Sequence, residues 1–454
     1  MHRHTQIFQV STLYGAATLA AALDAGQFGA RGEARRLLLV SNNAEIPETA
    51  LRLESMTGYD RIAARFDEVI DWNEAIRPNH PGSWGPRPEE VPLWQRVFRA
   101  AWGLGSGTVE VIVESIQVNP ARALAAIFAE SPVQVYADGL MSYGPTRGEL
   151  PQLIACRIQR LLHLDLVPGL RPLLLSEFGV RPELVPDGAF RKVLAEIAGS
   201  AAEDRQVTEA VEAAPTALLL GQYLAALGIL TAEEEEDLHV RMLRAAAEAG
   251  HRSVIFKPHP TAPARYSLAL DAEAAEAGVK LIVLDGPLLA ETFYERCRPE
   301  LVVGCFSTAM LTASAYYDIP IARVGTEMVL ERLTPYENSN RMPLTIVDHL
   351  VADLEQGGAP AVPGAAPDTL EPLVRAVGYC MQPKIHPGLR DEAARLIEDR
   401  LGDDSGRDRD ADSTDHTTAR YFQRDRLTEL GLPGAGAPGS ASRLRRGLVR
   451  GRRV

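Results

Sequence analysis

Cysteine, aromatic side chains and positive charge are all scarce in this 454-residue chain. The four cysteines, Cys156, Cys297, Cys305 and Cys380, are far apart and form neither a CxxC pair nor a zinc spacing. That pattern excludes a disulfide scaffold and fits a reducing cytoplasm. The formal charge of -13 leaves no lysine- and arginine-rich face for a phosphate backbone, so no nucleic-acid partner is expected. Long apolar runs are also missing, and none reaches the ~18 residues that a membrane-spanning helix needs. His2, Arg3 and His4 do precede a strand and an apolar stretch from Ala16 to Leu23. Gln9, Ser11 and Thr12 interrupt that segment, Asp24 and Gly26 end it, and no small-residue cleavage site follows, so a signal peptide is not expected.

What is present is an ordinary globular composition, 46% hydrophobic and 24% charged. The length is two to three times a domain of ~150 residues, which implies two compact domains plus extras. Strand and helix patterns alternate from the start. Gln6 to Val10 reads as a strand, followed by the turn Ser11-Thr12-Leu13-Tyr14-Gly15 and an alanine-rich helix. Arg36 to Ser41, Glu68 to Ile70, Val109 to Ser115 and Val133 to Tyr136 are further strands, with a helix from Pro120 to Glu130. Asn79 to Pro92, rich in proline and glycine, reads as a surface loop. This order predicts a parallel sheet covered on both faces.

A polar, alanine-rich stretch over 198–214 precedes a second alternating series, so the domain boundary is expected near 214. Thr216 to Leu220, Ser253 to Phe256, Lys280 to Leu284 and Leu301 to Val303 are its strands. Thr231 with Glu234 three residues on forms a capping box that opens a helix running to Gly250. The reading is therefore α/β, with an N-terminal domain over 1–214, a second over 215–400 and a disordered tail over 401–454. Arg443 to Arg453 holds six arginines among apolar residues. That basic end is either a loose terminus or a peripheral contact with anionic lipid at the inner face of the membrane.

Two alternating α/β domains make the crevice at the facing carboxyl ends of their strands the expected ligand site. Four places there carry polar residues. Lys257-Pro258-His259-Pro260 holds an imidazole in a proline-stiffened loop, where it either meets a ligand phosphate or caps local backbone. Gly304-Cys305-Phe306-Ser307-Thr308 leads from a strand into a helix, so its hydroxyls serve either as an anion site or as an ordinary N-cap. Tyr136-Ala137-Asp138-Gly139 ends a strand with a carboxylate that is either a base or part of a simple Asp-Gly turn. Glu291 opens a helix after Asp285-Gly286-Pro287, suiting either ribose hydroxyls or the helix dipole.

In that order and spacing, the His-Pro loop, the acidic helix start, the Ser-Thr pair and the preceding Asp-Gly turn resemble the bacterial sialyltransferases, in particular the α-2,8-polysialyltransferase-like group. The likeness covers roughly residues 5–350. It implies a GT-B fold, two Rossmann-like domains facing one another, and an inverting glycosyltransferase that moves sialic acid or a related nonulosonic acid. The donor would be CMP-activated and the acceptor a glycan or glycolipid, with no metal and no other cofactor. By the same likeness His259 contacts the CMP phosphate and can act as general acid, Pro260 belongs to its loop, Ser307 and Thr308 bind that phosphate, and Glu291 holds the ribose. Gly221 and Gln222 would lie near the donor, and Asp138 would be the general base. One departure matters: the family's usual pair of acids before the glycine has its first position filled here by Ala137. Glu114, at the end of its strand, is a fallback base or a structural carboxylate. Metal-dependent transferases usually carry an Asp-x-Asp, and the one here, Asp408-Arg409-Asp410, falls in the tail. Rival readings are a GT-B transferase or epimerase using a UDP- or GDP-sugar, and a non-catalytic nucleotide or glycan binder of the same fold.

Overall fold

The computed structural model describes residues 4–259, 265–401 and 420–434. Its framework is two parallel sheets. The first has seven strands, β1 (His4–Val10), β2 (Arg35–Val40), β3 (Glu68–Asp71), β4 (Thr108–Val113), β5 (Val133–Ala137), β6 (Ile158–His163) and β7 (Arg181–Leu184), in the order β3-β2-β1-β4-β5-β6-β7. The second has β8 (Ala217–Leu220), β9 (Ser253–Lys257), β10 (Lys280–Val283), β11 (Leu301–Gly304) and β12 (Ile321–Arg323), in the order β10-β9-β8-β11-β12. The order reverses beside β1 in one sheet and beside β8 in the other, and a crevice opens past the strand ends at each reversal.

The central strands are near-continuous apolar runs because helices cover both their faces. Ala217, Leu218 and Leu219 of β8 and Val302 and Val303 of β11 accordingly have no exposed surface. Helix Leu13–Asp24 follows β1 directly and is buried along nearly its whole length, so the N-terminal segment is core framework. Helix Asp187–Ser200 packs on it and also touches helix Ala290–Cys297 of the second half. The anticipated helix after Thr231 spans Ala232–Glu248, with both capping-box hydrogen bonds formed.

Three strands were not anticipated. β7 contains Pro182 and Glu183 and lies at the sheet edge, where a missing N–H is tolerated. β6 carries Arg160, which pairs with Glu183 at 2.9 Å, and β12 is only three residues long. The expected disordered tail also needs correction over 420–434. There Tyr421 is fully buried and donates to Asp348 Oδ2 at 2.7 Å. Helix Arg424–Leu430 docks through Arg426, whose Nε donates to the Cys380 carbonyl at 2.7 Å. Tyr421 and Phe422 are the only Phe, Tyr or Trp residues after 400, and they supply the apolar anchor that the surrounding polar sequence lacks. The remainder of the tail, including Asp408-Arg409-Asp410 and Arg443–Arg453, lies outside the described residues. Among the described residues, no helix is long and apolar enough to cross a membrane.

Candidate active site

A cavity of about 460 Å³ lies where the strand ends of the two sheets face each other. Asp138 and Gly139 approach it from β5, and Thr12 and Tyr14 from the turn after β1. The opposite wall is built by Gly221 after β8, Lys257-Pro258-His259 after β9, Glu291, and Ser307 and Thr308 after β11. The two walls touch at a few points. Tyr14 Oη lies 2.7 Å from Thr312 Oγ1, and the Leu140 amide donates to Thr308 Oγ1 at 3.5 Å.

The His259 loop is held by its neighbours. The Gly221 amide donates to the Lys257 carbonyl at 2.9 Å, and the imidazole stacks on the Tyr223 ring with centroids 4.3 Å apart. Burial, aided by the Lys257 charge, pulls the His259 pKa down to about 4, so the ring is neutral at pH 7. Lys257 is buried and its Nζ donates to the Gly286 carbonyl at 3.3 Å. Burial lowers its pKa to about 8, while Asp285 and Glu291 pull it back up, so it is mostly charged at neutral pH. Ser307 is the N-cap of helix Thr308–Tyr317, accepting from the Ala309 amide at 3.3 Å. The N-cap reading of this residue is thus observed, and the cap hydroxyl also lies on the cavity wall, at a helix end that favours negative charge.

Carboxylates complete the site. Glu291 is 3% exposed, and burial pushes its pKa up to about 7. Asp138 accepts from Thr12 Oγ1 at 3.5 Å and is also raised by burial. Behind it Glu114 accepts from Ser11 Oγ at 2.6 Å, and burial, with the nearby Asp138 charge, pushes it to about 7. Among the described residues no three His, Cys, Asp or Glu side chains gather as a metal site.

Of the residues singled out from sequence, the structure brings Asp138, Gly221, His259, Glu291, Ser307 and Thr308 to one cavity. Gln222 is a correction. It is 6% exposed, and its side-chain amide donates back to the Leu220 carbonyl at 3.1 Å, while its own backbone amide donates to His239 Nε2 at 2.8 Å. Its side chain therefore ties down the end of β8, and it is not among the residues that line the cavity. Pro260 lies outside the described residues. Sequence reading gave no role to Lys257, Thr12 or Tyr14, although the first stands two residues before His259 and the others sit in the quoted turn.

Gly221 has a steric reason. A Cβ there would stand 2.9 Å from Pro258 Cα, 3.0 Å from Phe256 Cζ and 3.1 Å from the His259 amide nitrogen. Backbone atoms cannot swing aside, so Gly221→Ala must displace the His259 loop. We expect a loss of turnover on the order of 100-fold, as for an ångström-scale misplacement, with roughly 1–3 kcal/mol of lost stability. Steady-state kinetics beside a thermal melt would check this, and unchanged turnover would remove the steric argument.

Two parallel α/β halves facing one another across a cleft give this chain GT-B architecture. A sequence model of the alpha-2,8-polysialyltransferase family matches residues 6–326, and the chain belongs to that family. Its members act with a nucleotide-sugar donor and a glycan acceptor. Similar solved structures include a sialyltransferase from Photobacterium damsela, at 12% identity and TM-score 0.43, covering 76% of this chain and 78% of that one. Another is MurG from Acinetobacter baumannii, at 12% identity and TM-score 0.39, covering 87% and 98%. A third is S. aureus MnaA with UDP, at 13% identity and TM-score 0.38, covering 83% and 96%. A sequence search among curated proteins finds no match.

Proposed function

We propose that the chain transfers sialic acid, or a related nonulosonic acid, from a CMP-activated donor to a glycan hydroxyl, with inversion and without a metal ion. The observation that carries this reading is the convergence of polar groups from both halves on one cavity. Lys257, His259 and the capped helix end at Ser307 face the cavity from the second half, and Asp138 faces it from the first. The Lys257 ammonium and the helix end at Ser307 suit a phosphate that gains negative charge as it leaves. The Asp138 carboxylate suits a hydroxyl that must lose a proton.

In the reaction the acceptor oxygen forms a bond to the anomeric carbon while its proton passes to Asp138. The bond from that carbon to the phosphate oxygen breaks, and the electron pair leaves with CMP. Attack from the wall opposite the phosphate site inverts the anomeric configuration. Ser307, Thr308 and Lys257 hold the phosphate, His259 donates to it, and Glu291 accepts from the ribose hydroxyls. Gly221, having no side chain, lets the His259 loop close onto the end of β8.

The test is to compare CMP-, UDP- and GDP-sugars with EDTA present, measuring both thermal stabilisation and donor hydrolysis. Stabilisation by the CMP compound alone, with slow release of free sialic acid, is the expected result. Stabilisation without turnover would make the chain a binder, and a preference for UDP would remove the sialyl assignment.

A further inference from the structure

We infer that Tyr14 is a positioning residue whose hydroxyl, through Thr312, pins the turns that hold Asp138 against the turn that takes the donor phosphate, and so favours transfer to the acceptor over loss of the donor to water. This rests on the glycosyl-transfer reading above. Tyr14 Oη lies 2.7 Å from Thr312 Oγ1. Thr312 gives its own hydroxyl hydrogen to the Thr308 carbonyl at 3.2 Å, so in the pair the tyrosine donates. Thr308 and Thr312 stand one turn apart on one face of helix Thr308–Tyr317, and Thr308 is on the cavity wall. The contact therefore runs from the first half to the helix turn that meets the phosphate. Both of its ends are held. Thr312 has no exposed surface. The Tyr14 ring stands edge-on to Phe190 with centroids 5.4 Å apart, and Phe190 packs in turn on Tyr316 of the same helix as Thr312. Burial keeps the phenol protonated, with the Glu291 charge adding to the effect, so its hydrogen stays available.

The turn that carries Tyr14 also touches the base. Thr12 Oγ1 donates to Asp138 Oδ2 at 3.5 Å, and a Cβ on Gly15 would stand only 3.1 Å from that same oxygen. Asp138 thus lies against Thr12 and Gly15, while Tyr14 between them reaches across the cleft. The residues after Asp138 meet the same helix. A Cβ on Gly139 would stand 3.0 Å from Thr308 Oγ1, and the Leu140 amide donates to that oxygen at 3.5 Å. A further tie, from the Thr57 amide to the Pro287 carbonyl at 3.1 Å, joins the halves beside Met56 and Leu288 of the cavity wall. Of these three ties the Tyr14 contact is the shortest, and it alone joins the turn that touches the carboxylate to the phosphate side. An acceptor hydroxyl must sit between Asp138 and the anomeric carbon, and a bound sugar cannot follow if the two turns drift apart. Water is small and unanchored, so its attack on the donor tolerates the same drift.

Tyr14→Phe keeps the ring against Phe190 and removes only the hydroxyl. With the full chain, a CMP-sugar and a glycan acceptor, transfer kcat should fall about tenfold, roughly the contribution of one hydrogen bond, while donor affinity and donor hydrolysis stay within about twofold. The ratio of hydrolysis to transfer should therefore rise about tenfold. Thr312→Val should raise that ratio as well, and the double variant should lose no more transfer than the worse of the two single ones, because both remove the same contact. Transfer and hydrolysis falling together would reduce Tyr14 to a packing residue and overturn its role, and so would a double variant whose loss is the product of the single losses. The donor reading fails separately. If the unaltered chain turns over a UDP- or GDP-sugar instead, the same ratio is read with that donor and still decides the role of Tyr14. Turnover of no sugar nucleotide at all would overturn the transfer reading and this inference with it.

Discussion

His259→Ala should lower donor turnover by about 100- to 10,000-fold, the usual contribution of a positioned proton donor. The fold should survive. The imidazole is only half-buried, it stacks on the Tyr223 ring, and the loop stays tied by the Gly221 amide to the Lys257 carbonyl. A stacked ring pair contributes roughly 0.5–1.5 kcal/mol, so the thermal midpoint should drop only slightly. The charge state sharpens the expectation. With a pKa near 4 in the free chain, His259 contributes no inflection to kcat/KM around pH 6.5. Binding a phosphate beside it opposes both burial and the Lys257 charge, which raises the imidazole pKa in the complex and lets kcat report it. Near-normal turnover in the alanine variant, or a neutral-pH imidazole inflection in kcat/KM, would refute this assignment.

Much of the site could be read from the sequence because its residues follow strand ends directly. His259 and Ser307 lie within three residues of buried strands, and parallel-sheet topology sends such positions to the crevice. What sequence could not supply was orientation. Gln222 differs from Gly221 by one position, yet its buried side chain donates back to the Leu220 carbonyl. Lys257 reads as the first residue of the loop after a strand, and only the fold shows that it closes β9, is buried and lies on the cavity wall. Glu114 and Asp138 are 24 residues apart, and only the strand order brings the Ser11 and Thr12 hydroxyls after β1 within reach of both. The same limit explains the tail, where two aromatic residues in a polar context gave no hint of the buried Asp348 carboxylate that receives Tyr421.

Glu291→Gln should make the ligand-free chain more stable and the enzyme worse. The folded state holds the Glu291 proton to about pH 7, against roughly 4.3 for an unfolded glutamate. The native form therefore binds more protons than the unfolded form between those values, so the contribution of this residue is fully present at low pH and lost as pH rises through 7. Ionisation there costs up to about 4 kcal/mol, and glutamine of the same shape avoids it. At pH 8 the variant should melt several degrees higher, whereas below about pH 4 the two proteins should melt together. Donor affinity should move the other way, because hydrogen bonds from ribose hydroxyls to a charged acceptor contribute roughly 1.5–3 kcal/mol each, a loss on the order of 10- to 100-fold. Lys257 adds a check on the mechanism. Glu291 helps keep that ammonium protonated, so its titration should fall further below 8 in the variant. Equal melting at pH 8 would show that the buried carboxylate is not strained, and unchanged donor affinity would take the ribose role away from it. Both effects together would mean that the second half keeps an ionisable group at a stability cost because the bound sugar nucleotide needs it.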